Sequence, residues 1–323
     1  MFTLVSSAGI DTAKLCWRLD VDSPAGRAAE TLATVPTSRA RQLPATINGH
    51  RVLWYPDAGL LAAEGHPAGD GNLAAADALP DYVALTSDCL REYGIDVPDE
   101  PMRFDHSRHG FAGFGRLDVT VNLATSGTPA GLAILSGVAA IQPDARLQTI
   151  VTRQPGGRAI ETVAWRGKRG IMARTYDKST EALSGPRATI LRFEDQRRWP
   201  TNTRRQTAEL DATAVRDIFC KRFAPLWQAS RGVHVVTTTR AAQRLREAVT
   251  REEVTAGQAI DAAGHLFLAQ AGVRIGARAT QWRHRRIAQD LGLVLVDGAI
   301  AEQEVEIDLA RVLEQVVDGD HWR

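Results

Sequence analysis

The feature that most constrains the fold is a run of strict alternation between polar and apolar residues at positions 114–123. Its apolar members share one face of an extended chain: Leu117, Val119, Val121 and Leu123. Its polar members share the other face: Arg116, Asp118, Thr120 and Asn122. A strand with one apolar and one polar face is typical of an antiparallel sheet that helices cover on one side. The run therefore predicts a β-strand of an α+β domain.

The rest of the first two thirds of the chain agrees with this interpretation. Strands are predicted at 10–22 and 51–55, and two further strand pairs at 148–153 with 159–166 and at 170–178 with 188–194. Helices are predicted at 81–93 and 131–141. Together these elements describe an antiparallel sheet with helices on one side.

The character of the chain changes after Trp199-Pro200. Helical spacing recurs at 215–226, 240–249, 254–271 and 277–291, and 292–296 and 305–309 follow as a predicted hairpin. Helix, turn, Arg-rich helix and hairpin is the order of a winged helix. The sequence therefore predicts two domains, an α+β domain over residues 1–205 and a mainly helical, winged-helix-like DNA-binding domain over residues 206–323.

Composition indicates a cytoplasmic protein. The 323 residues contain no apolar run as long as a membrane span and no secretory signal at the N-terminus, so we expect no membrane association. The three cysteines, Cys16, Cys89 and Cys220, are far apart and fit neither a disulfide framework nor a zinc-binding spacing. A reducing compartment is the natural setting for such a chain.

The net charge of +1 conceals a strong segregation of charge. Residues 1–100 carry 14 acids and 7 bases, whereas residues 151–205 carry 13 bases and 5 acids. Acids again dominate over 287–323, with 9 against 2 bases. A basic middle between acidic ends indicates a local anionic partner. The alternative is a solvated basic face without a partner.

One predicted strand combines a hydroxyl group with two cations. Arg174, Tyr176 and Lys178 are two positions apart and therefore share one face of the strand. Cations beside a phenol favour its ionised form and neutralise a phosphate under attack, so Tyr176 is a candidate nucleophile for phosphoryl transfer. The alternative is a half-buried tyrosine flanked by basic residues at the surface.

Carboxylates on neighbouring strands suggest a metal site. Asp118 and Glu161 could supply oxygen ligands to Mg²⁺ or Mn²⁺, which prefer such ligands. The alternative is a structural ion pair between Asp118 and Arg116 or Arg174. His106 and His109 form a weaker candidate pair in a loop-like stretch.

The segment 274–286 contains five arginines and no acid. A basic helix after a tight turn can lie in a DNA groove, where its arginines contact phosphates and guanine edges. The candidate contacts are Arg278, Arg283, Arg285 and Arg286 here, and Arg192, Arg197 and Arg198 in the basic middle. The alternative is a helix whose arginines only contact water.

Five short segments occur in the order seen in rolling-circle replication initiators: 11–17, 116–121, 161–167, 174–181 and 191–194. The most distinctive are Arg174-Thr175-Tyr176-Asp177-Lys178 and Leu191-Arg192-Phe193-Glu194. Over roughly residues 110–200 the chain resembles the Rep_trans-type plasmid initiators and the filamentous-phage II/X replication proteins. Few aromatic residues surround Tyr176, and the C-terminal third has no counterpart in this resemblance.

The resemblance implies a metal-dependent, nickase-like domain that acts at a replication origin. Tyr176 would attack one phosphodiester and become linked to the 5′ phosphate, and the freed 3′ hydroxyl would prime synthesis. Asp118 and Glu161 would hold the metal ion, and Arg174 and Lys178 the phosphate. Implied partners are duplex and single-stranded origin DNA and host replication machinery such as a helicase, with a homodimer as a further possibility.

Two other functions fit the same residues. A non-catalytic DNA-binding replication or regulatory protein of a mobile element would need the basic surfaces but neither Tyr176 nor the carboxylates. A metal-dependent phosphodiesterase that uses water would need the carboxylates but not the tyrosine.

Overall fold

The computed structural model describes residues 6–38, 40–43, 46, 49–69, 73–98, 110–154, 159–168, 170–179, 189–200, 203–270, 278–296 and 305–322. The strands in these ranges are β1 (Ser6–Arg18), β2 (Val35–Pro36), β3 (Arg41–Gln42), β4 (Arg51–Tyr55), β5 (Leu60–Gly65), β6 (Gly110–Thr125), β7 (Gln148–Arg153), β8 (Ile160–Gly167), β9 (Gly170–Asp177), β10 (Thr189–Arg198), β11 (His234–Val236), β12 (Leu293–Leu295) and β13 (Glu306–Asp308). The helices are α1 (Pro24–Leu32), α2 (Leu79–Glu92), α3 (Thr128–Ala140), α4 (Ala212–Ala229), α5 (Thr238–Thr250), α6 (Ala256–Gln270), α7 (Arg278–Asp290) and α8 (Leu309–Asp318).

Ten strands form one antiparallel sheet in the order β2-β3-β4-β5-β1-β6-β10-β9-β8-β7. The long strand β6, which contains the alternating run, lies between β1 and β10. The predicted strand pairs are present as β7 with β8 and β9 with β10. The predicted α+β class is therefore confirmed.

The alternation of β6 separates the two faces of this sheet. Its apolar residues belong to the main core, which also receives side chains from α1 to α4 and from α8. Phe219 and Phe223 of α4 are stacked with ring centroids 4.4 Å apart, and Phe223 meets Phe193 and Trp165 of the sheet edge to face. Because these helices pack on the apolar face, the polar residues of β6 lie on the opposite face of the sheet.

The C-terminal part contains a second, three-stranded sheet in the order β12-β11-β13. Strand β11 pairs in parallel with β12 and antiparallel with β13. The predicted pairing of 292–296 with 305–309 as a hairpin is therefore wrong. The short strand β11, which the sequence pattern did not predict, hydrogen-bonds to one strand on each of its edges and separates the two expected partners.

Helices α5, α6 and α7 enclose a smaller apolar cluster with this second sheet: Val236, Ala241, Leu245, Ala259, Ala262, Ala288 and Leu293. Helices α4 and α8 instead contribute to the main core of the large sheet. The division into domains at 205/206 remains a prediction, and the packing shows that the main core extends beyond it. In the part of the chain that the structure describes, no helix is long and apolar enough to cross a lipid bilayer.

Candidate functional site on the polar sheet face

We call the side of the large sheet opposite the helices the polar face. Strand register brings its side chains together in three cross-strand rows: Asp118–Gln196, Thr120–Glu194–Arg174 and Asn122–Arg192–Tyr176. Opposite side chains on neighbouring strands are about 5 Å apart, so adjacent members of one row lie within reach of each other. The residues around Tyr176 and those around Asp118 therefore form one continuous polar surface.

Tyr176 lies against a carboxylate and a guanidinium. Its hydroxyl donates a hydrogen bond of 3.4 Å to Oε2 of Glu194. Nε and Nη2 of Arg174 donate to the two oxygens of Glu194 at 3.0 Å each, and the Arg174 guanidinium lies 4.8 Å from the centre of the tyrosine ring. Glu194 is fully buried. The expected cation beside Tyr176 is present, and Glu194 adds an acceptor for its proton.

Asp118 is held by an arginine. Nε of Arg116 donates to Oδ1 of Asp118 at 2.7 Å, Nη2 contacts Oδ2, and Nη1 reaches Glu64 Oε1 at 2.6 Å. Burial raises the pKa of Asp118 to about 6, although the ion pair with Arg116 acts in the opposite direction and the charge of Glu194 adds to the increase. The ion pair considered as the alternative to a metal site is therefore present.

Glu161 is remote from Asp118. Its strand, β8, is the third from β6, because β10 and β9 lie between them. Three strand spacings amount to roughly 14 Å. The register adds a displacement along the strands, since the neighbour of Glu161, Thr162, pairs with Tyr176 and not with the row of Asp118. The predicted proximity of Asp118 and Glu161 is therefore wrong, because long-range strand order separates them.

The carboxylates near Asp118 are instead Glu64 and Glu194, each bound to an arginine. Across the described ranges, no group of three or more His, Cys, Asp or Glu side chains is arranged to hold a metal ion. Glu64 was not a candidate from the sequence. The sequence feature that could have identified Glu64 is its position as the one acid in the otherwise apolar strand β5. The candidates His106 and His109 lie outside the described residues.

Arg192 is buried beside Tyr176 and only 2% exposed. A register shift between β1 and β6 makes Asp11 an extra residue in β1. The carboxylate of Asp11 accepts a hydrogen bond of 2.6 Å from Arg192 Nη1. Nε of Arg192 donates to Asn122 at 2.9 Å, whereas Nη2 has no hydrogen-bond partner among the described residues. Burial makes Arg192 part of the sheet interior and not of an exposed DNA-binding surface.

The remaining predicted residues lie at the edges of this face or far from it. Arg197 and Arg198 end β10 and line a cleft with Arg204 and Arg205. Lys178 directly follows β9, and its backbone N–H donates to the Ile190 carbonyl at 2.8 Å.

From Arg278 onward, where the structure describes it, the Arg-rich segment lies in α7, as predicted. Arg283 and Arg286 are exposed on it, and Arg286 lies 3.7 Å from Asp290. The side chains of Arg278 and Arg285 lie outside the described part of the structure. The helix therefore presents at least two cations at a distance from the polar face.

Comparison of the chain with protein-family models and with curated proteins found no match. On geometry alone, the polar face offers a hydroxyl group with a carboxylate acceptor at 3.4 Å. It also offers an arginine that can neutralise a phosphate close to this hydroxyl. This set can support attack by a tyrosine on a phosphodiester.

Proposed function

We propose that the chain nicks DNA at a replication origin by using Tyr176 as the nucleophile, and so initiates rolling-circle replication of a plasmid or phage. The observation that carries the proposal is the contact of the Tyr176 hydroxyl with the buried Glu194, beside the Arg174 guanidinium. A nucleophile hydrogen-bonded to a base, with a cation close by, is the arrangement that such chemistry requires.

In the proposed step, the Tyr176 oxygen attacks the phosphorus and its proton passes to Glu194. A bond forms between the tyrosine oxygen and the 5′ phosphate, and the bond from phosphorus to the 3′ oxygen breaks. The departing 3′ oxygen takes up a proton from solvent and becomes a free 3′ hydroxyl, and Glu194 returns its proton to solvent. Arg174 offsets the negative charge that builds up on the phosphate oxygens.

An Mg²⁺ or Mn²⁺ ion remains part of the proposal. Of the predicted pair of Asp118 and Glu161, Asp118 is the ligand that stays in it, because Glu161 is remote and Glu194 takes up the proton of Tyr176. The carboxylate of Asp118 offers hard oxygen ligands. Arg116 neutralises this carboxylate and would have to release it. When bound, the ion would neutralise charge on the scissile phosphate.

Origin recognition is assigned in this proposal to the mainly helical C-terminal part, which lacks the hairpin expected of a winged helix because β11 lies between β12 and β13. The exposed arginines of α7 support contact with duplex DNA. The nickase-like chemistry then belongs to the large sheet. A host helicase, a homodimer and a cytoplasmic location remain predictions.

A second candidate is a DNA-binding protein without catalytic activity. The observation that favours it is that arginines neutralise Asp118 and Glu194, while Tyr176 is only 9% exposed. Such a protein would bind origin DNA as tightly as a nickase and leave it intact. The two candidates therefore differ in cleavage and not in binding.

The deciding experiment is a nicking assay on supercoiled DNA that carries the protein's own gene region. We expect the parent protein with Mg²⁺ or Mn²⁺ to form open circles and a covalent adduct on a denaturing gel. Tyr176→Phe should abolish the adduct and leave DNA binding nearly unchanged, because only the hydroxyl is lost.

Tyr55→Phe is the matched control. Tyr55 also lies under a cation, with Lys14 Nζ 5.6 Å from its ring centre, but on the distant strand β4. It should nick as the parent does. An adduct formed by Tyr176→Phe would exclude Tyr176 as the nucleophile. Full activity in EDTA would exclude the metal ion, and binding without any nicking by the parent would establish the second candidate.

A further inference from the structure

A cleft of about 870 Å³ opens where β10 leaves the large sheet. The lining residues that matter here are Gln196, Arg197, Arg198, Trp199, Arg204 and Arg205. Glu209 is the one acid among the described lining residues, and it is paired with Arg205 at 2.7 Å. Four arginines against one paired acid make the cleft strongly cationic, so its chemistry suits a polyanion.

The wall of the cleft is fixed by backbone contacts with β6. The Phe114 N–H donates to the Arg205 carbonyl at 2.7 Å, and the Trp199 N–H donates to the Gly115 carbonyl at 3.0 Å. Gly113 makes this approach possible, because its φ is +98° and a Cβ there would lie 2.6 Å from the Arg205 carbonyl oxygen. The cleft is therefore formed before any ligand binds.

Two hydrogen bonds link the cleft to the candidate nucleophile. Gln196, which lines it, donates from Nε2 to Glu194 Oε1 at 2.9 Å. The other oxygen of Glu194 accepts the hydrogen bond from Tyr176. One lining residue and one carboxylate thus lie between the cleft and the tyrosine hydroxyl, so a strand bound in the cleft would lie next to the candidate site.

The size and lining of the cleft distinguish between forms of nucleic acid. Its volume is in the range of pockets that hold drug-sized ligands, which corresponds to a few linked nucleotides and is far too small for a double helix. The half-buried indole of Trp199 offers an aromatic surface beside the arginines. Sites that bind single-stranded nucleic acid combine cations along the phosphate backbone with an aromatic ring on which bases stack.

We propose that this cleft binds the single-stranded DNA that flanks the phosphate attacked by Tyr176. The inference rests on the proposed function, and it names the part of the molecule that holds the substrate strand. It also makes a melted origin, and not an intact duplex, the form of DNA that reaches Tyr176.

The test measures binding of a fluorescent oligothymidylate by anisotropy in EDTA over a series of salt concentrations. The variant is Arg198→Ala combined with Arg205→Ala, both exposed residues whose loss should not prevent folding. Two lost phosphate contacts should weaken binding by about 10-fold or more and reduce the slope of log K against log salt by about 1.4. Trp199→Leu should weaken binding by about 10-fold with the slope unchanged, because stacking carries no charge.

The control is Arg246→Ala combined with Arg251→Ala, which removes the same charge from the exposed end of α5. It should bind as the parent does. An unchanged slope in the Arg198/Arg205 variant, or an equal loss in the control, would overturn the cleft assignment. Failure of the proposed function is a separate result, because it would appear as a parent that binds the oligonucleotide with the expected slope but never nicks.

Discussion

The ion pair between Asp11 and Arg192 provides the sharpest test of the packing on the polar face. It joins β1 to β10 across the intervening strand β6, and its side chains are 9% and 2% exposed. Arg192 has only two partners among the described residues, Asp11 and Asn122. Replacing Asp11 with alanine therefore leaves a buried guanidinium with one neutral acceptor.

The expected loss of stability follows from this burial. Removing one member of a buried pair costs about 3–5 kcal/mol, because the remaining charge stays away from water without compensation. Asp11→Ala should therefore lower the free energy of unfolding by about that amount. Arg192→Met should have a similar effect, because it leaves the buried carboxylate of Asp11 without its cation. The double variant should cost clearly less than the sum, because no unpaired charge remains.

The free energies of unfolding of the three variants and the parent are measured by urea denaturation, with far-UV circular dichroism as the signal. The matched control is the same cycle on Arg205 and Glu209, a pair that is 49% and 43% exposed. Its coupling energy should be only about 0.2–1 kcal/mol, since water solvates each charge alone. The buried pair would be refuted if each single variant lowered the free energy of unfolding by less than about 1 kcal/mol. It would also be refuted if the double variant lost the full sum of the two single effects.

Two further outcomes concern a buried acid and the basic helix. Burial raises the pKa of Asp195 to about 6, with Arg222 acting against the shift, so stability should fall as pH rises from about 4 to about 6. The free energy of unfolding of Asp195→Asn, compared with that of the parent, should therefore be higher at pH 7 than at pH 4 in urea denaturation, and a difference independent of pH would contradict this. Arg283→Ala combined with Arg286→Ala should weaken binding to origin duplex by about 1–3 kcal/mol per base-specific contact, with oligothymidylate binding unchanged. If the affinity for duplex DNA is unchanged at equal ionic strength, the arginines of α7 only contact water.

Local pattern was sufficient for much of the architecture. Alternation with a period of two identified β6 and its polar residues, because successive side chains of a strand point to opposite faces. The same rule placed Arg174 and Tyr176 on one face of β9, where the structure also has them. Helical spacing located α7 for a similar reason. These features depend on residues that are near one another in the chain.

The composition of the candidate site depended on strand order. Glu161 and Asp118 are both acids on predicted strands, yet two strands separate them, whereas Glu64 comes close from β5. Asp11 meets Arg192 because β1 lies beside β6 and a bulge turns its carboxylate towards β10. Strand β11 likewise lies between two segments that the sequence predicted to be partners. Strand order is decided by how the whole apolar face is buried, so it is a property of the tertiary structure that no local pattern contains.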